Sequence, residues 1–231
     1  MNASATLLTL LGEVALLLWA VHHIGESLRR GFGRRFRLLL AHALQNRLRA
    51  FCAGLIMTTL LQSGTAAALM VTSLASRSST PLANALAVML GANVGTTLIV
   101  QIASLKTGLL SGALILSGMV IIRAMSRSVW RECGEAIIAL GLVLLSLQLM
   151  GETLRPAGQS ELLHSLFASF KDDVLFNLLL TTIFAWIAHS SASTILFAMS
   201  LSAHDVVSVQ AALAMVLGAN LGTAFNPLSA A

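Results

Sequence analysis

Two short polar clusters interrupt apolar stretches of this sequence, and each is followed by a second, shared motif. Gln-Ser-Gly-Thr at 62–65 precedes Gly-Ala-Asn-Val-Gly-Thr at 91–96, and His-Ser-Ser-Ala-Ser at 189–193 precedes Gly-Ala-Asn-Leu-Gly-Thr at 218–223. Hydroxyl and amide groups can donate hydrogen bonds to an anion, and their oxygens are hard ligands that suit Na+. Glycines permit a break in the chain and a close approach of the backbone. These residue types predict a binding site for a polar solute, built from both clusters.

The four motif segments contain no Arg, Lys, Asp or Glu. A bound anion would therefore be neutralised by co-bound cations and helix dipoles, because no side-chain ion pair is at hand. Moving one uncompensated charge across a membrane is worth about 2.3 kcal/mol per 100 mV. Co-binding of Na+ would reduce the net charge that moves, and hence this energy, and would couple transport to the sodium gradient.

Two structural alternatives apply to the same residues. The glycine pairs, Gly91 with Gly95 and Gly218 with Gly222, have the spacing of small-residue helix packing, a role that is compatible with binding. The hydroxyl groups of the clusters can also donate to the carbonyl oxygens of the preceding helical turn.

An enzyme is the third alternative, because His189 next to Ser190 invites comparison with intramembrane serine hydrolases. A nucleophile needs a base within hydrogen-bond reach, and adjacent residues on one segment rarely point at each other. The first copy also has Gln62 in place of the histidine. We therefore predict that the chain is not an enzyme, and keep a non-transporting membrane scaffold, a sensor of the bound solute or an inactive fragment as alternatives to transport.

The composition places the chain among membrane proteins. It has 231 residues, of which 57% are hydrophobic and only 10% charged, against about 25% charged in a soluble domain. Lipid forces the backbone to satisfy its own hydrogen bonds, which predicts an all-α polytopic protein. Seven arginines between Arg29 and Arg49 are typical of a cytoplasmic segment facing lipid headgroups, not of a nucleic-acid partner. Cys52 and Cys133 show no disulfide or metal pattern.

Charge predicts how the apolar stretches cross the bilayer. The stretches are 7–24, 50–76, 82–105, 107–122, 134–151, 174–201 and 207–231. If 50–76 is a re-entrant hairpin of two half-helices, then Arg123, Arg127 and Arg131 face the cytoplasm with the first basic run, as the positive-inside rule expects. We predict re-entrant hairpins around both polar clusters, with broken helices at their tips.

The sequence contains an internal repeat. Segments 82–97 and 209–224 share nine of sixteen residues in register, and both motif types recur at one offset of 127 residues (220 − 93 and 189 − 62). Three membrane crossings separate the starts of the two copies, so we expect the second copy to be inverted in the membrane. Its segment 152–173 would face the outside, and it holds only Arg155 and Lys171, against seven arginines in the matching segment of the first copy. We predict a first inverted repeat at 1–131, with a transmembrane helix, a basic interfacial segment, the hairpin 50–76 and two further helices. The second, at 132–231, lacks its last helix.

The double motif resembles the paired Gln-Ser-Ser-Ser repeats of the sodium-dependent phosphate cotransporter family, which comprises type II Na/Pi cotransporters and bacterial relatives. The segments that carry the resemblance are TTLLQSGTAAALM and WIAHSSASTILFAM, each followed by Gly-Ala-Asn-x-Gly-Thr. The resemblance implies a multi-pass protein of the plasma membrane (the inner membrane in bacteria). It implies sodium-coupled transport of inorganic phosphate without a cofactor, with Na+ as the coupling ion and no other metal. A homo-oligomer is left open.

The family's site residues are carried over by position. The implied substrate-binding residues are Ser63, Gly64, Thr65, Asn93, Ser190, Ser191, Ser193 and Asn220. The implied sodium-binding residues are Gln62, Thr96, Thr97, His189, Thr194 and Thr223.

Overall fold

The regular structure of the chain is helical throughout the described residues. The computed structural model describes residues 3–75, 81–103, 108–125, 128–157 and 173–226, and none of them forms a strand. In chain order the helices are α1 Ala3–Ala43, α2 Arg47–Leu61, α3 Gly64–Ala75, α4 Leu82–Ala103, α5 Gly108–Ala124, α6 Ser128–Ala157, α7 Val174–Ala188, α8 Ser191–Ala203 and α9 Val209–Ala224. The predicted all-α class is confirmed. Most of the predicted segment 152–173 and the last residues, 227–231, lie outside the described part.

Two helices are long and apolar enough to cross a membrane. They are α1, over Ser4–Ala43, and α6, over Val129–Leu154. These two long apolar helices agree with the membrane class that the composition indicates. The number of crossings and the inversion of the second repeat remain predictions.

Both long apolar stretches with a polar cluster are broken at that cluster. The first is divided between α2 and α3 at Gln62, which has left-handed backbone angles of φ 50° and ψ 29°. The second is divided between α7 and α8 at His189, with φ 53° and ψ 25°. The breaks are 127 residues apart, so the predicted broken helices are confirmed at matching positions of the repeat. The re-entrant course of the two segments stays a prediction.

Each break is followed by a serine that begins the next helix. Ser63 Oγ accepts a hydrogen bond from the Ala66 N–H at 3.1 Å, and Ser190 Oγ accepts one from the Ser193 N–H at 3.2 Å. A side-chain oxygen at this position satisfies one of the four amide groups that a helix start leaves without a partner. The local sequence thus both ends one helix and starts another within two residues.

The left-handed angles at Gln62 allow a stability test of the break. A β-branched side chain is strongly disfavoured at positive φ, whereas glycine adopts it freely. We expect Gln62→Val to lower the thermal unfolding midpoint and Gln62→Gly to maintain or raise it. The difference should correspond to about 1–2 kcal/mol. Unfolding followed by circular dichroism in detergent measures it, and equal midpoints for the two variants would contradict the left-handed break.

The helix that carries the first Gly-Ala-Asn motif packs closely on α2. A methyl group added at Gly91 would overlap the Phe51 carbonyl oxygen and lie 2.9 Å from the Leu55 nitrogen. One added at Gly95 would lie 2.6 Å from the Leu55 carbonyl oxygen. The two glycines therefore let the backbones of α2 and α4 touch, which confirms the small-residue packing role.

The second motif makes the same contacts in the other half. A methyl group at Gly218 would overlap the Leu178 carbonyl oxygen, and one at Gly222 would overlap that of Thr182. Leu178 and Thr182 lie 127 residues after the two contacted residues of α2, so α9 packs on α7 as α4 packs on α2. The repeat in sequence is also a repeat in helix packing.

The first long helix differs from the prediction. The sequence indicated a transmembrane helix ending near residue 24 and a separate basic segment, but α1 continues without interruption to Ala43. Arginine favours helix, and the continuation has an apolar side: Phe36 and Leu40 are buried against α2 and α3. The basic residues therefore extend α1, and Asn46 then caps α2 by accepting from the Leu48 N–H at 2.9 Å.

Helices α1 and α6 lie antiparallel. At one end Arg30 donates to Glu132 and Glu135, both at 3.0 Å, and at the other Thr153 donates to Glu13 at 2.7 Å. Between these ends the two helices form an apolar core with α7, α8 and α9, which also takes Val100 from α4. We call this the central core. A second core joins α1, α2, α3 and α4, and we call it the first-half core.

Candidate functional site

The first polar cluster lies beside the end of its own Gly-Ala-Asn motif. Thr59, in the last turn of α2 before the break, is 3.3 Å from the Gly95 carbonyl oxygen through its Oγ1. Helix α3, which starts with Gly64 and Thr65, also contacts α4. The four residues 62–65 are all partly exposed at this junction. The structure thus brings the first cluster and the first motif together.

The motif residues divide between two faces of α4. Thr96 is buried, whereas Asn93 and Thr97 are exposed on the face turned away from α2. The glycines occupy the packed face, so the candidate residues Asn93 and Thr97 lie on a different side of the same motif. Asn93 remains free of any role in the contact with α2.

The second cluster is more deeply buried than the first. Ser191 is 8% exposed and Ser193 and Thr194 are fully buried, next to Ala192 and Ile195 of the central core. Ser190 Oγ and Ser193 Oγ are 2.9 Å apart. In the first copy the positions of Ser191, Ser193 and Thr194 are Gly64, Ala66 and Ala67. The second half therefore supplies most of the hydroxyl groups.

Four of the candidate hydroxyls donate to the backbone. They are Thr96 to Ala92 at 3.2 Å, Thr97 to Val94 at 2.7 Å, Thr194 to Ser190 at 2.8 Å, and Thr223 to Ala219 at 3.1 Å. For the clusters, the alternative that a hydroxyl bonds to the preceding helical turn is confirmed at Thr194, and the three threonines of the Gly-Ala-Asn motifs do the same. A hydroxyl whose proton is engaged in this way can still accept with its oxygen. In this arrangement the four threonines can ligate a cation but cannot donate to an anion.

The two residues at the breaks differ in chemistry although they share a backbone conformation. Gln62 is half-buried, whereas His189 is exposed and its Nδ1 lies 3.0 Å from the Ile187 carbonyl oxygen. A neutral ring that donates there from Nδ1 has Nε2 as an acceptor. The described hydrogen bonds of His189 do not include a serine, so the geometry gives the hydrolase alternative no support.

The amide groups of the two motifs are in different surroundings. Asn220 is half-buried, and its Nδ2 donates one hydrogen bond to the Val216 carbonyl oxygen at 3.2 Å, which leaves the second N–H as a donor and Oδ1 as an acceptor. Asn93 is exposed. The amide of Asn220 is therefore held by a hydrogen bond, whereas the amide of Asn93 is exposed, although the two motifs match in sequence.

The halves meet through the helices that carry the candidate residues. Helix α4 contacts α8, and α3 contacts α9. The two contacts are equivalent, because α3 corresponds to α8 and α4 corresponds to α9 in the two copies of the repeat. Within the described residues, no hydrogen bond joins a candidate residue of one half to a candidate residue of the other. The structure thus assembles two half-sites on touching helices, without a direct polar contact between them.

Thr58 is a residue near the first half-site that the sequence did not single out. It is fully buried at the end of α2, and its backbone carbonyl accepts from the Gln62 N–H at 2.8 Å. Within the part of the chain that the structure describes, its Oγ1 has no hydrogen-bond partner. A methyl group at Gly95 would lie 3.1 Å from its Cβ. The signal in the sequence was the pair Thr58-Thr59 within an apolar stretch, but the second copy has Ala185 and Trp186 there.

Comparison with known proteins identifies relatives along the whole described fold. The family described as Na+/Pi-cotransporter matches residues 16–152 and again 150–228. "Putative inorganic phosphate export protein YjbB" of Escherichia coli (strain K12) is 38% identical over 218 residues, which is 94% of this chain and 40% of that protein. The protein of the same name from Salmonella typhimurium is 37% identical over the same shares.

A more distant relative and the solved structures complete the comparison. "Uncharacterized protein YqeW" of Bacillus subtilis is 24% identical over 188 residues, 80% of this chain and 60% of that protein. The chain thus spans about 40% of the length of the YjbB proteins it matches. No solved structure matches it.

Proposed function

Because this chain belongs to the Na+/Pi-cotransporter family, we propose that it carries the two half-sites of a sodium-coupled transporter of inorganic phosphate. Membership in this family supports a transport protein rather than an enzyme. The observation that carries the proposal is the pair of matching helix breaks at Gln62 and His189, each followed by a serine that starts a new helix.

We propose that phosphate binds at the starts of α3 and α8. A helix start presents amide N–H groups and a positive dipole end, both of which favour an anion. Hydroxyl and amide side chains add further donors around these two starts. The proposed substrate-binding residues are Ser63, Gly64, Thr65, Asn93, Ser190, Ser191, Ser193 and Asn220.

We propose that Na+ binds next to the anion and neutralises it. The four threonines that donate to the backbone keep oxygen lone pairs for a cation, and the side chains of Gln62 and His189 add an amide oxygen and an acceptor nitrogen. Oxygen ligands suit a hard cation. The proposed sodium-binding residues are Gln62, Thr96, Thr97, His189, Thr194 and Thr223.

The direction of net flux is set by the gradients in this proposal. The name of the Escherichia coli relative specifies export. A symport site reached from both sides of the membrane in turn runs inward or outward according to the sodium and phosphate gradients. Transport by this protein is therefore to be measured in both directions.

The test is phosphate flux in proteoliposomes that contain the full-length protein. We expect flux of labelled phosphate in a sodium gradient and little flux when choline replaces Na+. Asn220→Ala should reduce the sodium-dependent flux roughly tenfold or more, because the loss of a hydrogen bond to a charged group costs at least about 1.5 kcal/mol.

A matched amide outside the half-sites provides the control. Gln148 is an exposed amide on α6 that donates to Glu152, and Gln148→Ala should leave the flux unchanged. Flux that is the same in sodium and choline would refute sodium coupling. Equal flux in the Asn220 and Gln148 variants would remove the second motif from the site.

A further inference from the structure

One acidic side chain is buried within the apolar part of α1. Glu13 is 7% exposed, and it is the one acidic residue among the described buried side chains. It lies inside the candidate membrane span Ser4–Ala43. An ionisable residue at such a position is costly, and it marks a functional site more often than a structural one.

The two carboxylate oxygens of Glu13 have different surroundings. Oε1 accepts a hydrogen bond from the Thr153 hydroxyl of α6 at 2.7 Å, while Oε2 is buried and has no hydrogen-bond partner among the described residues. Thr153 is itself 9% exposed.

A buried carboxylate needs a compensating positive charge. One hydrogen bond does not replace the hydration that an ionised group loses on burial. The ion pairs of the described residues do not include Glu13. On α1 itself, Arg30 is seventeen residues away, which is about 25 Å along the helix, and it is engaged with Glu132 and Glu135.

We propose that Glu13 and Thr153 bind one alkali cation, Na+, between α1 and α6. The carboxylate supplies two oxygens and the unit negative charge, and the threonine hydroxyl can rotate to present its oxygen as a third ligand. Hard oxygen ligands and a single charge suit Na+. Neither residue belongs to the half-sites at the helix breaks, so this site is separate from the sodium positions proposed there.

The site connects cation binding to the contact between the two longest helices. Glu13 is on α1 and Thr153 on α6, which are 140 residues apart in sequence and occupy opposite sides of one interface. A cation held by both would strengthen that interface and remove the buried charge. The effect requires no bound phosphate.

Equilibrium binding of radioactive Na+ to the purified protein tests the site. In choline chloride without phosphate, we expect Glu13→Gln to bind one ion fewer per chain than the wild type. Thr153→Val keeps the side-chain size, removes one ligand and should weaken the binding of that ion roughly tenfold. Glu152→Gln changes an exposed carboxylate next to Thr153 and should bind as many ions as the wild type.

One outcome would overturn the proposal. Equal numbers of bound ions in the wild type and Glu13→Gln would show that no alkali cation binds there. Glu13→Gln is similar in shape to the native residue, and circular dichroism checks its folding. The half-sites are intact in all three variants, so failure here leaves the phosphate proposal unaffected.

Discussion

Replacing Ser190 by alanine is expected to reduce sodium-dependent phosphate flux by roughly 10- to 150-fold. The hydroxyl of Ser190 lies at the start of α8, 2.9 Å from that of Ser193, where it can donate to a bound anion. Losing a hydrogen bond to a charged group costs about 1.5–3 kcal/mol, which corresponds to that range of rates. Flux in proteoliposomes with a sodium gradient measures the loss.

Ser190 also caps α8, so the loss of a helix cap must be separated from the loss of a ligand. Ser208 caps α9 by accepting from the Ala211 N–H at 3.3 Å and lies outside both half-sites. Removing either cap should cost about 1 kcal/mol of stability. We expect Ser208→Ala to be destabilised like Ser190→Ala but to transport normally, and Ser190→Thr to retain part of the flux. If the two alanine variants transport equally well, Ser190 is a cap and not a ligand.

The second large effect is expected on stability, at the contact between α2 and α4. Gly91→Ala places a methyl group against the Phe51 carbonyl oxygen, which is backbone and cannot move aside alone. Overpacking of this kind costs about 1–3 kcal/mol, and in a chain of this size about 2–4 °C of unfolding midpoint per kcal/mol. We expect a fall of roughly 2–12 °C in detergent.

A glycine in open space gives the opposite expectation. A methyl group added at Gly112 of α5 meets no atom within 4 Å. Alanine is a better helix former than glycine by about 1 kcal/mol, so Gly112→Ala should raise the midpoint or leave it unchanged. A fall of similar size in both variants would mean that the close contact of α2 and α4 does not determine the effect.

The sequence was sufficient to predict the helix breaks and their recurrence. Polar and small residues at 62–65 and 189–193 disrupt apolar stretches that would otherwise be continuous, and local chemistry of that kind needs no tertiary information. The register of the two Gly-Ala-Asn motifs also predicted equivalent helix packing, because glycines four residues apart mark one face of a helix. Both features depend only on residues that lie within a few helical turns of one another in the sequence.

Features that depend on tertiary contacts were not predicted. The continuation of α1 past residue 24 depends on Phe36 and Leu40 packing against α2 and α3, which the arginine-rich sequence does not reveal. The exposure of Asn93 and the partial burial of Asn220 differ although their motifs match. The contact between Glu13 and Thr153 joins residues of different helices that are 140 positions apart, and no local pattern in the sequence indicates that pairing.

The length of α1 has a mechanical consequence. Its 41 residues extend about 60 Å, twice the thickness of a bilayer's hydrocarbon layer. Leu28, near its middle, contacts both the central core and the first-half core. Both cores therefore pack on one continuous helix. A tilt of α1 would reorient the two cores together, whereas a change in the angle between them would require α1 to bend or one core to slide along it.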